Sequence, residues 1–260
     1  MANPHISEIL ETPTDPVGGA SGDKRRFSVE FLGKCGNPDF PYTVANEVVA
    51  SQLGIFLGLN VPTCLAHSIQ NKTYVLIQLV NRDPRMQDPP PVTSKALAEY
   101  VESHSDEVHG AIVFDLFIAN NDRAFGPQRR NLLIDDAGRL LLYDQGNACF
   151  YRQRPTAGIV AGVDRLTAVE RDLSALFDMD HKGNYYRQLL TDWVLVEKWS
   201  ERIRAVPNFA IESAVARVPR TADCPSTEET ERLTDFLVER KDYLLDHIRQ
   251  WKACFPGLPS

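Results

Sequence analysis

FDLFIANNDRAFGPQRRNLLIDDAGRLLLYDQGNACF, residues 114–150, is the stretch that decides the fold. It begins inside an apolar run, about residues 107–119, which predicts a nearly buried helix that breaks at Asn-Asn-Asp. Two short apolar runs, 131–134 and 140–143, follow, and the turn sequence DDAG joins them. This pattern is typical of two strands joined by a tight turn. The segment therefore predicts a buried helix, a polar loop and a small β-hairpin in succession.

Polar side chains stand at the ends of these predicted elements. Asp122 lies in the loop after the helix, Asn131 begins the first strand, and Asp144 follows the second. Phosphoryl transfer needs a carboxylate that orients the attacking hydroxyl, together with amide and carboxylate oxygens that hold Mg²⁺ on the phosphates. Arg123 is a cation that would neutralise Asp122 or a phosphate. The alternative for Asp122 and Asp144 is an ordinary turn residue that accepts backbone hydrogen bonds.

The chain before this segment is predicted to mix strands with one helix. The first twenty or so residues predict an irregular entry with a glycine-rich turn, and a strand over residues 25–32 ends at Gly33. A helix follows over about 44–57, and two further strands are expected at 66–69 and 73–80. These short elements predict a small mixed lobe that reaches to residue 80.

Residues 81–93 hold four prolines and predict a hinge or linker between this lobe and the rest. From residue 94 onward the pattern is mostly helical, and the late helices are expected near 166–178, 184–204, 209–217 and 227–252. The sequence thus predicts one α/β domain, with a mixed lobe over 1–80 and a larger helical lobe over 94–260.

Composition excludes several classes of protein. The chain has 260 residues, of which 43% are apolar and 24% charged, so it is not a wholly disordered chain. A formal charge of -7 disfavours direct binding of nucleic acid through bulk positive charge. We expect no membrane span, since no apolar run approaches about 20 residues, and no secretory signal, since the first residues lack a basic segment followed by an apolar one. Five scattered cysteines fit reduced thiols in a cytoplasmic protein.

The order NxDR…NLL…DxG resembles the catalytic segment of the HipA-like kinases, relatives of the protein-kinase and lipid-kinase superfamily. The glycine-rich turn at 18–22 resembles the phosphate loop of that family. Ala45-Asn46-Glu47 followed by GLNVP at 58–62 resembles its NE…lgLpvP stretch. The resemblance covers roughly residues 17–150 and implies a bilobal kinase-like fold with ATP and Mg²⁺ as cofactors.

The resemblance also implies a role for each candidate residue. Asp122 corresponds to the catalytic base, and Asn131 and Asp144 correspond to the metal ligands. The helix glutamate, which pairs with a strand lysine in the family, corresponds to Glu47. The residues expected at the phosphates through the glycine-rich turn are Gly18, Gly19 and Ser21.

The strand that should carry the lysine departs from the family pattern. Glu30 stands where lysine is expected, and a carboxylate there would repel a triphosphate. If the strand is unbroken, Arg26 and Lys34 share the face of Glu30, and either would reach the phosphates. Asn131 also lies nine positions after Asp122, which exceeds the usual spacing, so the loop either bulges or loses that ligand.

These observations leave more than one function open. The leading expectation is Mg²⁺-dependent transfer of phosphate from ATP to a serine or threonine hydroxyl of a protein, with a regulatory protein as a further possible partner. The alternatives are a pseudokinase that binds nucleotide or protein without chemistry, and an enzyme of the same fold that transfers AMP. Glu30 and the long loop favour the pseudokinase.

Overall fold

The computed structural model describes residues 6–9, 26–79, 95–123, 131–135, 137–151, 162–176 and 187–260. Gly18, Gly19 and Ser21 of the predicted phosphate loop lie outside the described residues, as does the predicted linker at 81–93. Residues 124–130 of the loop after Asp122 also lie outside them.

The N-terminal part of the described chain contains small antiparallel sheets and one helix. In chain order its elements are β1 (Ile6–Ile9), β2 (Arg26–Val29), β3 (Phe31–Cys35), α1 (Thr43–Phe56), β4 (Cys64–Ile69) and β5 (Lys72–Gln78). β1 pairs with β2, while β5 lies between β3 and β4 in a second sheet. Gln70 and Asn71 have positive φ values of 49° and 64°, so the β4–β5 turn lies at the predicted position.

The strand predicted over residues 25–32 is wrong in two respects. The chain breaks at Glu30, which separates β2 from β3, and the two strands belong to different sheets. β3 also continues past Gly33 to Cys35, because β5 supplies a hydrogen-bonding partner along its whole length. The first residues are likewise not wholly irregular, since β1 lies among them.

The C-terminal part is mostly helical, as predicted. Its elements are α2 (Lys95–Ser103), α3 (Ser105–Phe117), β6 (Leu132–Ile134), β7 (Leu140–Leu142), α4 (Gly162–Arg171), α5 (Trp193–Arg204), α6 (Asn208–Ala216) and α7 (Thr227–Gln250). Single 3₁₀ turns occur at Leu173–Leu176, Arg187–Leu189 and Lys252–Cys254. β6 and β7 form the predicted antiparallel hairpin. None of the helices in the described ranges is long and apolar enough to cross a membrane.

Helix α1 is the element that joins the two parts. Val44 and Val48 pack on the inner face of the β3–β5–β4 sheet, against Val75 and Ile77. The opposite side of α1 belongs to the larger core, which it shares with the C-terminal helices. Helix α3 is buried along nearly its whole length, as its apolar run predicts. The core therefore holds α1 from both sides, and this fixes the polar residues that α1 carries.

Candidate active site

Lys34 and Glu47 form an ion pair between β3 and α1. Lys34 Nζ lies 3.0 Å from Glu47 Oε1, and the Glu47 side chain is only 1% exposed. Lys34 is on the face of β3 that looks toward α1, because its neighbour in the ladder is the buried Val75. The structure thus pairs the helix glutamate with Lys34, four residues after Glu30.

The same ammonium group also contacts Asp144, two residues after the end of β7. Lys34 Nζ lies 3.0 Å from Asp144 Oδ1, so one cation bridges two carboxylates. Burial would lower the pKa of Lys34, but the charges of Glu47 and Asp144 outweigh it and raise that pKa above its ordinary value. Lys34 is therefore a permanent cation beside Glu47 and Asp144.

Glu47 and Asp144 respond differently to this shared cation. Burial raises the pKa of Glu47 to about 7, although Lys34 and the Gln145 backbone N–H oppose the shift. Burial would also raise the pKa of Asp144, but Lys34 and hydrogen bonds with Lys34, Glu47 and the Gly146 N–H hold it below its ordinary value. Asp144 is thus the carboxylate that stays ionised, as a ligand for a cation must.

The loop after β7 is held in one conformation by helix α1. Asp144 adopts a left-handed backbone conformation with φ of 56°, and its Oδ1 accepts the Gly146 N–H at 3.2 Å. Asn46 Nδ2 donates to the Gly146 carbonyl at 2.8 Å, and Asn46 Oδ1 accepts the Phe150 N–H at 3.3 Å. The adjacent residues Asn46 and Glu47 therefore fix the loop that carries Asp144.

Asp122 is held by two amide side chains. Asn147 Nδ2 donates to Asp122 Oδ2 at 2.6 Å. Asn131 Nδ2 donates to the Asp122 carbonyl at 2.8 Å and to Oδ2 at 3.3 Å. The predicted base thus contacts the predicted ligand Asn131 directly, despite the long spacing between them in sequence. Asn147, three residues after Asp144, links the base to the loop of the other predicted ligand.

Arg123 turns into the core, and not toward the surface where the predicted contact with a phosphate would need it. Its side chain is completely buried and forms a bidentate ion pair with Asp115, with both N–O distances 3.1 Å. A guanidinium turned into the core cannot meet a phosphate at the surface. Its contacts instead give it a positioning role.

The remaining contacts of Arg123 bracket the predicted metal ligands. Nη1 donates to the carbonyls of Asn131 and Tyr143, and Nη2 donates to Gln145 Oε1 at 2.6 Å. Tyr143 and Gln145 are the two neighbours of Asp144 in sequence. Arg123 thus holds the ends of β6 and β7 together, so that Asn131 and Asp144 leave adjacent strands side by side.

Some predicted residues are not brought to this site by the described chain. Arg26 lies in β2, opposite Ile9, and the break at Glu30 removes the parity argument that placed it beside Lys34.

Sequence reasoning missed several residues that form the site, namely Asn46 as an anchor, Asp115, Gln145 and Asn147. Only Asp115 gave a usable signal, because a carboxylate within an apolar helix requires a buried partner.

The donor groups fit a hard divalent cation such as Mg²⁺, which prefers carboxylate and amide oxygens. A carboxylate only accepts hydrogen bonds, so Asn131 turns its Nδ2 toward Asp122 and its amide oxygen away. Asn131 Oδ1 has no donor among the described residues, and Asp144 supplies a carboxylate. The described part of the chain holds no group of three or more His, Cys, Asp or Glu side chains suited to a metal. Mg²⁺ would therefore depend on phosphate and water for its other ligands, as it commonly does.

Comparison with known proteins identifies the fold. Neither a protein-family model nor a curated protein sequence matches this chain. Its structure is similar to the crystal structure of the Helicobacter pylori proinflammatory kinase CtkA, with a TM-score of 0.56 over 96% of this chain and 97% of that chain, at 16% identity. HipA of Shewanella oneidensis MR-1, solved with HipB and operator DNA, gives a TM-score of 0.48 over 88% of this chain and 62% of that chain, at 12% identity. The likeness to CtkA confirms the predicted bilobal, kinase-like α/β fold.

Proposed function

We propose that the chain is a kinase that uses ATP and Mg²⁺ to transfer a phosphoryl group to a serine or threonine hydroxyl of a protein. The observation that supports this most is the single connected site formed by Lys34, Glu47 and Asp144 with Asp122 and Asn131. A kinase-like fold alone does not require these five polar groups to meet. Their residue types are those that positioning and charge stabilisation in phosphoryl transfer require.

Asp122 would act as the base in this reaction. Its carboxylate accepts a hydrogen bond from the acceptor hydroxyl and takes the proton as the hydroxyl oxygen bonds to the γ-phosphorus. The bond between that phosphorus and the leaving oxygen of ADP breaks in the same transfer. The amide donors of Asn131 and Asn147 orient the carboxylate for this step.

Lys34, Asp144 and Asn131 would bind the nucleotide and its metal. Lys34 offers its charge to the phosphates, and Glu47 keeps its ammonium group in place. Asp144 and the amide oxygen of Asn131 would hold Mg²⁺, which neutralises charge that develops on the transferred group.

The pseudokinase alternative loses its main support in this arrangement. It rested on the long loop after Asp122 and above all on Glu30, which stands at the place expected for the lysine. Lys34 supplies the cation to Glu47 instead, so a carboxylate at position 30 does not deprive the site of its positive charge. This geometry favours catalysis over binding alone.

Incubation of the purified chain with MgATP tests the proposal. We expect ADP formation and a rise in melting temperature, since a bound ligand stabilises the folded state by mass action. Asp122→Ala should abolish turnover and retain the thermal shift. Intact-mass analysis of the chain and of a generic protein acceptor would show whether phosphate or AMP is transferred. Turnover that survives Asp122→Ala would remove Asp122 from the mechanism, and transfer of AMP would overturn the proposed reaction.

A further inference from the structure

The tight turn at residues 145–148 joins helix α1 to Asp122. The turn is closed by a hydrogen bond from the Ala148 N–H to the Gln145 carbonyl at 2.9 Å. On one side, Glu47 Oε2 accepts the Gln145 N–H at 2.9 Å and Asn46 donates to the Gly146 carbonyl. On the other side, Asn147 donates to Asp122 Oδ2. Four successive residues thus transmit the position of α1 to the carboxylate of Asp122.

The orientation of the Asn147 amide follows from its partner. The nitrogen must face Asp122, because a carboxylate cannot donate to the amide oxygen. Asn147 Oδ1 is then left buried with no hydrogen-bond partner among the described residues. A buried carbonyl without a donor destabilises the folded state. The unpartnered oxygen of Asn147 therefore lowers the stability of the folded state. What Asn147 contributes to the site is the hydrogen bond that its N–H group donates to Asp122.

We propose that Asn147 is a positioning residue for phosphoryl transfer, which fixes the Asp122 carboxylate relative to the loop of Asp144. This inference rests on the proposed function. Asn147 does not contact the acceptor or the nucleotide in this scheme, and it acts only through Asp122. Residues that move a base by even about 1 Å can change turnover by about 100-fold, so the effect is measurable.

The test compares wild type with Asn147→Ala and Asn147→Asp. Asn147→Ala removes both the N–H donor and the unpartnered oxygen, so we expect turnover to fall by about 10- to 100-fold while KM for ATP and the MgATP thermal shift stay near those of wild type. Its melting temperature should be unchanged or higher, because the unpartnered carbonyl is gone. Asn147→Asp has nearly the same shape but places a second carboxylate against Asp122, and it should lose at least as much turnover.

Asn208→Ala, at an exposed position of α6, is the matched control and should keep wild-type turnover. Full turnover in Asn147→Ala, or a loss that only follows a lower melting temperature, would overturn the proposal for Asn147. Absence of turnover in wild type would instead remove the proposed function, so the two failures are distinguishable.

A double-mutant cycle with Asn46→Ala tests the path through the turn. If α1 acts on Asp122 through Gly146 and Asn147, the two substitutions share one route, and the double variant should lose less turnover than the product of the single losses. Independent, multiplicative losses would show that α1 does not act through Asn147.

Discussion

Lys34 Nζ lies 3.0 Å from Glu47 Oε1, and this contact gives the helix glutamate the lysine partner that position 30 does not supply. The place expected for a nucleotide-binding lysine is taken by Glu30, which lies at the break between β2 and β3. The strand resumes at Phe31, and its inward-facing alternation brings Lys34 to α1. The cation is thus present, four residues further along the chain than simple alignment suggests.

Lys34→Met should weaken binding of MgATP by at least about tenfold and reduce turnover in parallel. It would leave the buried Glu47 beside Asp144 with no cation between them, and it would remove the charge available to the phosphates. A thermal-shift titration with MgATP measures the change in affinity. Glu30→Gln is the control, and we expect its affinity to remain within about twofold of wild type, since the effect of an exposed charge is largely screened. Equal titrations for Lys34→Met and wild type would contradict the assignment of Lys34.

Local pattern predicted most of the elements but few of the contacts that form the site. The helix around Val108–Phe117 follows from its apolar run, and the β6–β7 hairpin follows from a turn sequence between apolar runs. By contrast, Arg123 and Asp122 are neighbours in sequence, yet Arg123 is turned into the core and Asp122 is held by the amides of two other residues. Which way a loop side chain turns depends on partners such as Asp115, and the local sequence does not specify them.

Asp115→Ala should lower the free energy of unfolding by about 3–5 kcal/mol, because it removes the carboxylate that pairs with the fully buried guanidinium of Arg123. Urea unfolding followed by circular dichroism measures this difference. If Asp115→Ala does not fold, Asp115→Asn takes its place in the measurement, because it retains a hydrogen-bond acceptor and should be more stable than the alanine variant.

The pair of Lys198 with Asp106 provides a surface control, with a similar N–O distance of 2.8 Å but both side chains about half exposed. Lys198→Ala should cost no more than about 1 kcal/mol. A loss for Asp115→Ala as small as that for Lys198→Ala would show that Arg123 is not confined to the core.

Gly110→Ala should destabilise the protein, although alanine favours helices over glycine by about 1 kcal/mol. A Cβ at position 110 of α3 would lie 2.4 Å from two ring atoms of Trp199, a residue of α5. Overpacking of this kind costs about 1–3 kcal/mol, or more when a rigid indole cannot move. Urea unfolding measures whether Gly110→Ala raises or lowers the free energy of unfolding. Gly33→Ala, whose nearest contact would be an ordinary 3.5 Å, should be tolerated, and a more stable Gly110→Ala would contradict the packing of Trp199 on α3.

His109 should make the stability of the protein depend on pH. Its Nε2 accepts the backbone N–H groups of Thr191 and Asp192 at 3.1 and 3.2 Å, while Nδ1 lies 2.7 Å from the Ser105 carbonyl and is assigned as the donor. Burial lowers the pKa of His109 below its ordinary value of 6.5, although Ser105, Asp192 and Asp106 oppose the shift. A proton on Nε2 would face two N–H groups that need an acceptor.

The unfolded chain therefore takes up this proton before the folded protein does. The stability that neutral His109 provides is fully present above pH 6.5 and is lost as the pH falls below that value toward the lower pKa of the folded state. Urea unfolding at pH 7.5, 6.5 and 5.5 or thereabouts should show a falling free energy of unfolding in wild type. His109→Gln retains an acceptor and a donor but does not titrate. Its free energy of unfolding should therefore fall less steeply with pH than that of wild type, by at most the slope that uptake of one proton contributes. Parallel declines in the two proteins would mean that other groups, such as His247, determine the pH dependence.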